Sequence, residues 1–161
     1  MAGRPRAAVL LACLVELACA ERRVGASDRQ GGASRFPPTV YLLASLKLPS
    51  TMAAHLGKYK LRGGELYNGR PVYDAASKET VLRWTDGFWL VSPSHVAFNT
   101  TRAHMNVKSG ALTPWDVESN DWQMVHKGNW TTQPMRVHTG ADGHARFQAA
   151  VRHIARIASL S

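Results

Sequence analysis

The chain has 161 residues, 45% of them apolar, 19% charged and 8% aromatic, with a formal net charge of +9. This length fits one domain with extensions, and the positive balance favours acidic partners, yet Lys and Arg are dispersed without a dense run, so no nucleic-acid partner is expected. Both cysteines, Cys13 and Cys19, lie near the N-terminus, which excludes disulfides, thiolate metal sites and Cys nucleophiles from everything that follows.

Residues 1–20 read as a secretory signal peptide. Arg4 and Arg6 form a basic start, Ala7 to Leu17 an apolar run, and Ala18-Cys19-Ala20 a small-residue cleavage site before Glu21. The run is too short to span a bilayer. Glu16 interrupts it, and Arg22, Arg23, Arg29 and Arg35 continue a basic pattern that also suits a mitochondrial transit peptide, the alternative localisation. With the leader removed, the net charge falls to about +8. Residues 21–36 are polar and Gly/Ser-rich without periodicity, as in a disordered linker or propeptide.

A β domain is expected over residues 37–140. After Pro37-Pro38, Thr39 to Ala44 form a first strand, and Ser50 to Leu56 a helical turn or loop. Two hairpins follow. Asn68-Gly69 lies between Lys58-Tyr59-Lys60-Leu61 and Pro71-Val72-Tyr73, and Asp86-Gly87 between Val81–Trp84 and Phe88–Val91. Asn-Gly and Asp-Gly tolerate the positive φ of type I′ turns, the best short-range hairpin signal. Period-two spacing puts Tyr59 with Leu61, Pro71 with Tyr73, Leu82 with Trp84 and Trp89 with Val91. Pro71 marks an edge strand or a strand start. Val96–Phe98, Met105–Val107 and Trp115–Val117 are short strand candidates, and Asp121–His126 turns through Lys127-Gly128 into Trp130–Val137.

A weak repeat links Trp84–Pro93 to Val125–Pro134 at a 41-residue offset. Two copies cannot close a propeller, so two similar hairpins in one sheet or small sandwich are expected. Gly140–Gly143 ends the sheet. Residues 141–161 then form a C-terminal amphipathic helix, with Phe147, Val151, Ile154 and Ala158 on one stripe. Docking of that stripe on the sheet is the favoured reading, and a basic surface-seeking helix the alternative. The fold class is therefore mainly β: a small antiparallel sheet or sandwich built from hairpins, with one C-terminal α-helix.

The segments Gly57-Lys58-Tyr59, Asn68-Gly69-Arg70-Pro71-Val72-Tyr73, Trp84 and Gly87–Val91, with Gly128 and Trp130 later, carry a resemblance. Over roughly residues 39–137 the chain resembles a small, aromatic-rich, extracellular-type β module common in predicted proteins of unicellular algae and other protists. That family has no established activity. The resemblance implies the fold and a binding role, and no catalytic residue.

Chemistry-bearing residues are sparse. Trp84, Trp89, Trp122, Tyr59 and Tyr73 alternate at strand spacing and read as core, which leaves Trp115 and Tyr67 as ligand-binding candidates. The tightest histidine group is His138-x3-Asp142-x-His144, with no metal-ligand spacing, so no metal or cofactor is expected, and His138 and His144 read as loop residues. There is no G-x-S-x-G elbow and no phosphate loop. The acidic residues sit at turn-like positions, and no catalytic residue is assigned. Asn99-Thr100-Thr101 and Asn129-Trp130-Thr131 are glycosylation sequons. Asn99 is the better acceptor, because Trp130 reads as packed. The reading is a secreted, non-enzymatic β module that binds a ligand or anionic surface, with a glycan the leading class. A structural protein of a cell coat and an atypical secreted hydrolase are the alternatives.

Overall fold

The computed structural model describes residues 35–45, 48 and 50–158; the signal peptide expected at 1–20 and all but the end of the linker lie outside them. Eight strands run up and down in chain order: β1 (Thr39–Ala44), β2 (Gly57–Tyr67), β3 (Arg70–Ala75), β4 (Thr80–Thr85), β5 (Phe88–Pro93), β6 (Met105–Lys108), β7 (Asp121–His126) and β8 (Asn129–Thr139). Each pairs antiparallel with the next, and β8 pairs back on β1 with Val40 opposite Thr139 and Leu42 opposite Val137. The chain is thus mainly β, antiparallel and hairpin-built, and its sheet closes into a barrel.

Local chemistry sets the turns. The pairs Asn68-Gly69, Asp86-Gly87 and Lys127-Gly128 all have positive φ at both residues, between 47° and 84°. This is the type I′ geometry whose twist matches that of the flanking strands. The Asp86 and Lys127 turns are the two halves of the 41-residue repeat, and they lie at opposite ends of one barrel. In β2 the register slips between Leu61 and Leu66, and Gly63 there has φ +44°. The paired glycines of that segment thus serve a bulge, which bends a long strand around the ring.

An eight-stranded barrel is just wide enough for side chains to fill. Here Trp89, Trp122, Tyr59, Tyr73, Met105, Met124 and Met135 fill it, all essentially without solvent contact. Period-two alternation placed the inward residues correctly, Leu61, Leu82 and Val91 among them. Trp84 is the partial exception. It is only partly buried, and the Arg70 guanidinium covers its ring at 3.6 Å.

The connection between β5 and β6, residues 94–104, folds back along the outer wall of the barrel. Arg83 points outward from β4 yet is 0% exposed beneath it. Its guanidinium donates to Phe98 O (2.5 Å), Thr100 O (2.9 Å), Ala97 O (3.4 Å) and Ser92 Oγ (3.1 Å), and lies 5.2 Å from the Phe98 ring. Thr85 Oγ1 donates to the same Phe98 carbonyl. The connection is irregular, which corrects the strand expected at Val96–Phe98. Its backbone carbonyls are turned toward Arg83 instead of along a ladder.

At the C-terminus the expected helix exists and begins earlier, as α2 (Gly140–Ala158), the short α1 (Ser50–Ala53) being the only other α-helical segment among the described residues. Gly140, at φ +61°, turns β8 into α2, so Gly140–Gly143 forms its first turn. The helix docks through its first half. Phe147 is buried and lies 5.5 Å from the Tyr41 ring, whereas Ile154 is 37% exposed, contrary to its expected place in the interface. His138 and His144, expected in a loop, lie in β8 and α2, and His144 Nδ1 is 3.1 Å from the Tyr41 hydroxyl.

Close approach of helix and barrel rests on Gly143. A Cβ there would sit 2.8 Å from Tyr41 Cδ2 and 3.0 Å from the backbone carbon of His138. Gly143→Ala is therefore expected to cost about 1–3 kcal/mol through overpacking against rigid groups. Thermal unfolding measures this directly, and an unshifted midpoint would mean that α2 is not held as described.

Candidate functional site

With the interior filled, open space lies at the two mouths. At the mouth where β1 begins, the β6–β7 connection forms a cavity of about 380 Å³ with the ends of β7 and β8 and the start of α2. The sequence Thr113-Pro114-Trp115-Asp116 builds its wall. Pro114 opens a 3₁₀ turn (Pro114–Asp116), and the Thr113 hydroxyl bonds the Asp116 carboxylate. Proline suits this position because its missing N–H is unpaired in any case. Trp115 is thereby held edge-on to Tyr73, with centroids 6.4 Å apart; it is partly buried against the core and lines the cavity with the rest of its surface. The strand expected at Trp115–Val117 is this turn.

The cavity floor is apolar, from Trp122, Met135 and Val137, and its rim is polar, from Ser119, Arg136, His138, Thr139 and Asp142. Arg136 Nε bonds Asn120 Oδ1. Asp142 accepts from Arg146 Nε (2.8 Å) and lies 3.8 Å from His138 Nδ1. Burial, then the Arg146 charge, holds the His138 imidazole below its usual pKa against the opposing pull of Asp142. His138 is therefore neutral at pH 7, offering one donor and one acceptor. An indole face beside planar Arg and carboxylate groups suits a ligand with one apolar face and several hydroxyls.

The backbone that carries this wall is itself fastened. Trp84 Nε1 donates to Ser109 O (2.8 Å), Trp89 Nε1 to Ala111 O (3.1 Å), and Arg70 to Gly110 O and Ala111 O. These donors satisfy the carbonyls of a connection without ladder partners.

Of the expected ligand-binding residues, Trp115 lines this cavity. Tyr67 instead packs edge-on against Phe98 on the outer wall, with centroids 5.3 Å apart. Asn99 and Asn129 are both exposed. Trp130, expected to pack, is 48% exposed, because it faces outward opposite the equally outward Val125.

The opposite mouth holds a second cavity of about 480 Å³. His55, from the β1–β2 connection, stacks face to face on His104, with centroids 4.1 Å apart and planes 12° apart, and His95 lines the same space. Three histidines scattered singly along the chain meet here. No spacing signal reveals this, since His55 lies in the β1–β2 connection and His95 and His104 stand at the two ends of the β5–β6 connection. Among the described residues, no group of three or more His, Asp or Glu is arranged to hold a metal ion, and no helix is long and apolar enough to cross a membrane. Comparison of the chain with family models, curated proteins and solved structures finds no match.

Proposed function

We propose that the chain is a secreted, non-enzymatic β-barrel module that binds a glycan at the Trp115 mouth. The observation that carries this is an accessible indole beside Arg136, His138 and Asp142 over an apolar floor. The C–H face of a sugar ring stacks on Trp115, while hydroxyls bond the rim, with the guanidinium and carboxylate supplying charge-assisted hydrogen bonds. A filled barrel supports binding at a mouth over enclosure of a large ligand. The signal-like leader and the exposed sequon at Asn99 support the secretory pathway. The resemblance to extracellular-type modules agrees with this reading.

A structural role in a cell coat is the second reading, favoured by the outward Val125–Trp130 pair as a contact surface. A glycan array separates the two. Trp115→Ala is expected to lower affinity for any captured glycan about tenfold or more, the loss of one stacking contact of about 1–3 kcal/mol, in protein that circular dichroism shows to be folded. Absence of any captured glycan, or full affinity in Trp115→Ala, overturns the glycan reading.

A further inference from the structure

The stacked histidines define a site that the glycan reading does not use. His55 and His104 reach the cavity from separate connections, and the backbone carbonyl of His55 accepts a 2.6 Å bond from the buried Tyr59 hydroxyl. That bond ties His55 to the barrel interior, so the pair is placed by the fold and is not a chance meeting of surface loops. His95 and Lys78 face the same space, Arg102 acts electrostatically on His104, and among the described residues Glu79 is the one carboxylate in the lining. The hydroxyl-bearing Thr80 and Ser94 complete the wall.

We propose that this mouth binds the oxyanion group of a small molecule, of sulfate or phosphate type, and takes up protons as it does so. Two imidazoles 4.1 Å apart repel when both are protonated, and burial adds to the cost. Burial first and His104 second push His55 down to about 4, while burial, Arg102 and His95 lower His104. At neutral pH the pair is uncharged, and Lys78, next to Glu79 in the chain, is the main positive group of the cavity wall. A dianion entering between Lys78 and the imidazoles removes the repulsion and favours their charged forms. Linkage fixes the sign: an anion that raises these pKa values binds more tightly as pH falls. The volume of about 480 Å³ leaves room for an organic remainder beyond the oxyanion.

Sulfate is the cleanest probe, because its charge is constant across the range tested. Calorimetric titration of the whole protein with sulfate, at fixed ionic strength, is expected to show affinity rising about tenfold per pH unit between roughly pH 6 and 5, as for one coupled proton. Acetate, singly charged, should bind more weakly. His55→Gln and His104→Gln should flatten the pH dependence, and Lys78→Gln should weaken binding throughout. Circular dichroism at the acid end confirms that each variant is folded. Where a histidine variant does not fold, ring proton shifts of His55 and His104 in the unaltered protein report the same coupling by moving to higher pKa with sulfate. Trp115→Ala should leave sulfate binding intact, so failure of the glycan reading is distinguishable from failure here. No sulfate binding at acid pH, binding that ignores pH, or histidine shifts unmoved by sulfate would each overturn the proposal.

Discussion

Arg83→Met is expected to lower unfolding stability by about 3–5 kcal/mol, a large share of the roughly 5–15 kcal/mol available to a domain of this kind. The guanidinium is fully buried, and its partners are three backbone carbonyls and a hydroxyl, with no carboxylate beside it among the described residues. Its charge is neutralised by dipoles alone, and burial lowers its pKa against a small opposing pull from Tyr67. Removing it leaves the Thr100 carbonyl without its donor, at about 1–3 kcal/mol unless the loop moves to water, and takes one donor each from Phe98 O, which keeps Thr85 Oγ1, and Ala97 O, which keeps Thr100 N and Oγ1. Loop movement would in turn uncover Val72, Val81 and Leu90, which are buried now. Arg83→Lys should recover little, because one ammonium cannot span a planar fork of four acceptors. Chemical denaturation measures the loss, and protease cutting within residues 94–104 locates it. An Arg83→Met protein with unchanged midpoint and uncut loop would refute this account.

Trp89→Ala should cost about as much, roughly 3–5 kcal/mol, for a different reason. The indole is buried inside the barrel near the Asp86-Gly87 turn, with no solvent contact, and is paired across strands with Trp84 and Val107. Truncation leaves a void that rigid neighbouring strands cannot close, and it frees the Ala111 carbonyl from its 3.1 Å bond. Trp89→Phe keeps most of the volume and loses the bond, while Arg70 still donates to Ala111 O, so the lost bond is expected to cost about 0.5–1.5 kcal/mol. The two variants also differ in reach. The Ser109–Ala111 segment leads directly into the Trp115 wall, so Trp89→Ala should weaken glycan capture as well as stability, whereas Trp115→Ala should weaken capture with the smaller loss of stability of a partly buried side chain. Equilibrium unfolding of both variants checks the first part, and array signal against melting temperature the second. Equal stability of Trp89→Ala and the unaltered protein would show the packing to be misjudged.

What could be read from the sequence was the short-range part. Asn68-Gly69, Asp86-Gly87 and Lys127-Gly128 announce hairpins because positive φ at two adjacent residues has few chemical solutions. Alternation then places Tyr59, Tyr73, Leu82 and Trp89 on one face without any knowledge of the whole. Ring closure left no such trace. The β1–β8 pairing joins residues 40–44 to residues 135–139, and nothing local in either segment states that they meet. Arg83 misleads similarly: an arginine between apolar residues reads as a solvated outward position, and only the returning loop makes it interior. Trp130 errs in the other direction, since an aromatic beside a turn reads as core until the strand phase is known. Trp115 stands apart in the sequence because the other aromatics alternate at strand spacing, and it lines the mouth cavity. The His55–His104 stack does not stand apart, because its members lie 49 residues apart with no motif linking them.

Closure of the ring has a kinetic consequence. Seven of the eight strand pairings join neighbours in the chain, so each forms by closing a short segment, on the microsecond scale of hairpins. The eighth, β1 on β8, must close a span of about a hundred residues at once, and its entropy grows with the logarithm of that span. Until it forms, an open curved sheet exposes two unpaired backbone edges and one side of the Trp and Met core, the arrangement most open to association between chains. Folding speed and the hazard of misassembly therefore meet at one seam, between Val40–Ala44 and Met135–Thr139, and α2, packed on β1 and β8 together, lies across that seam.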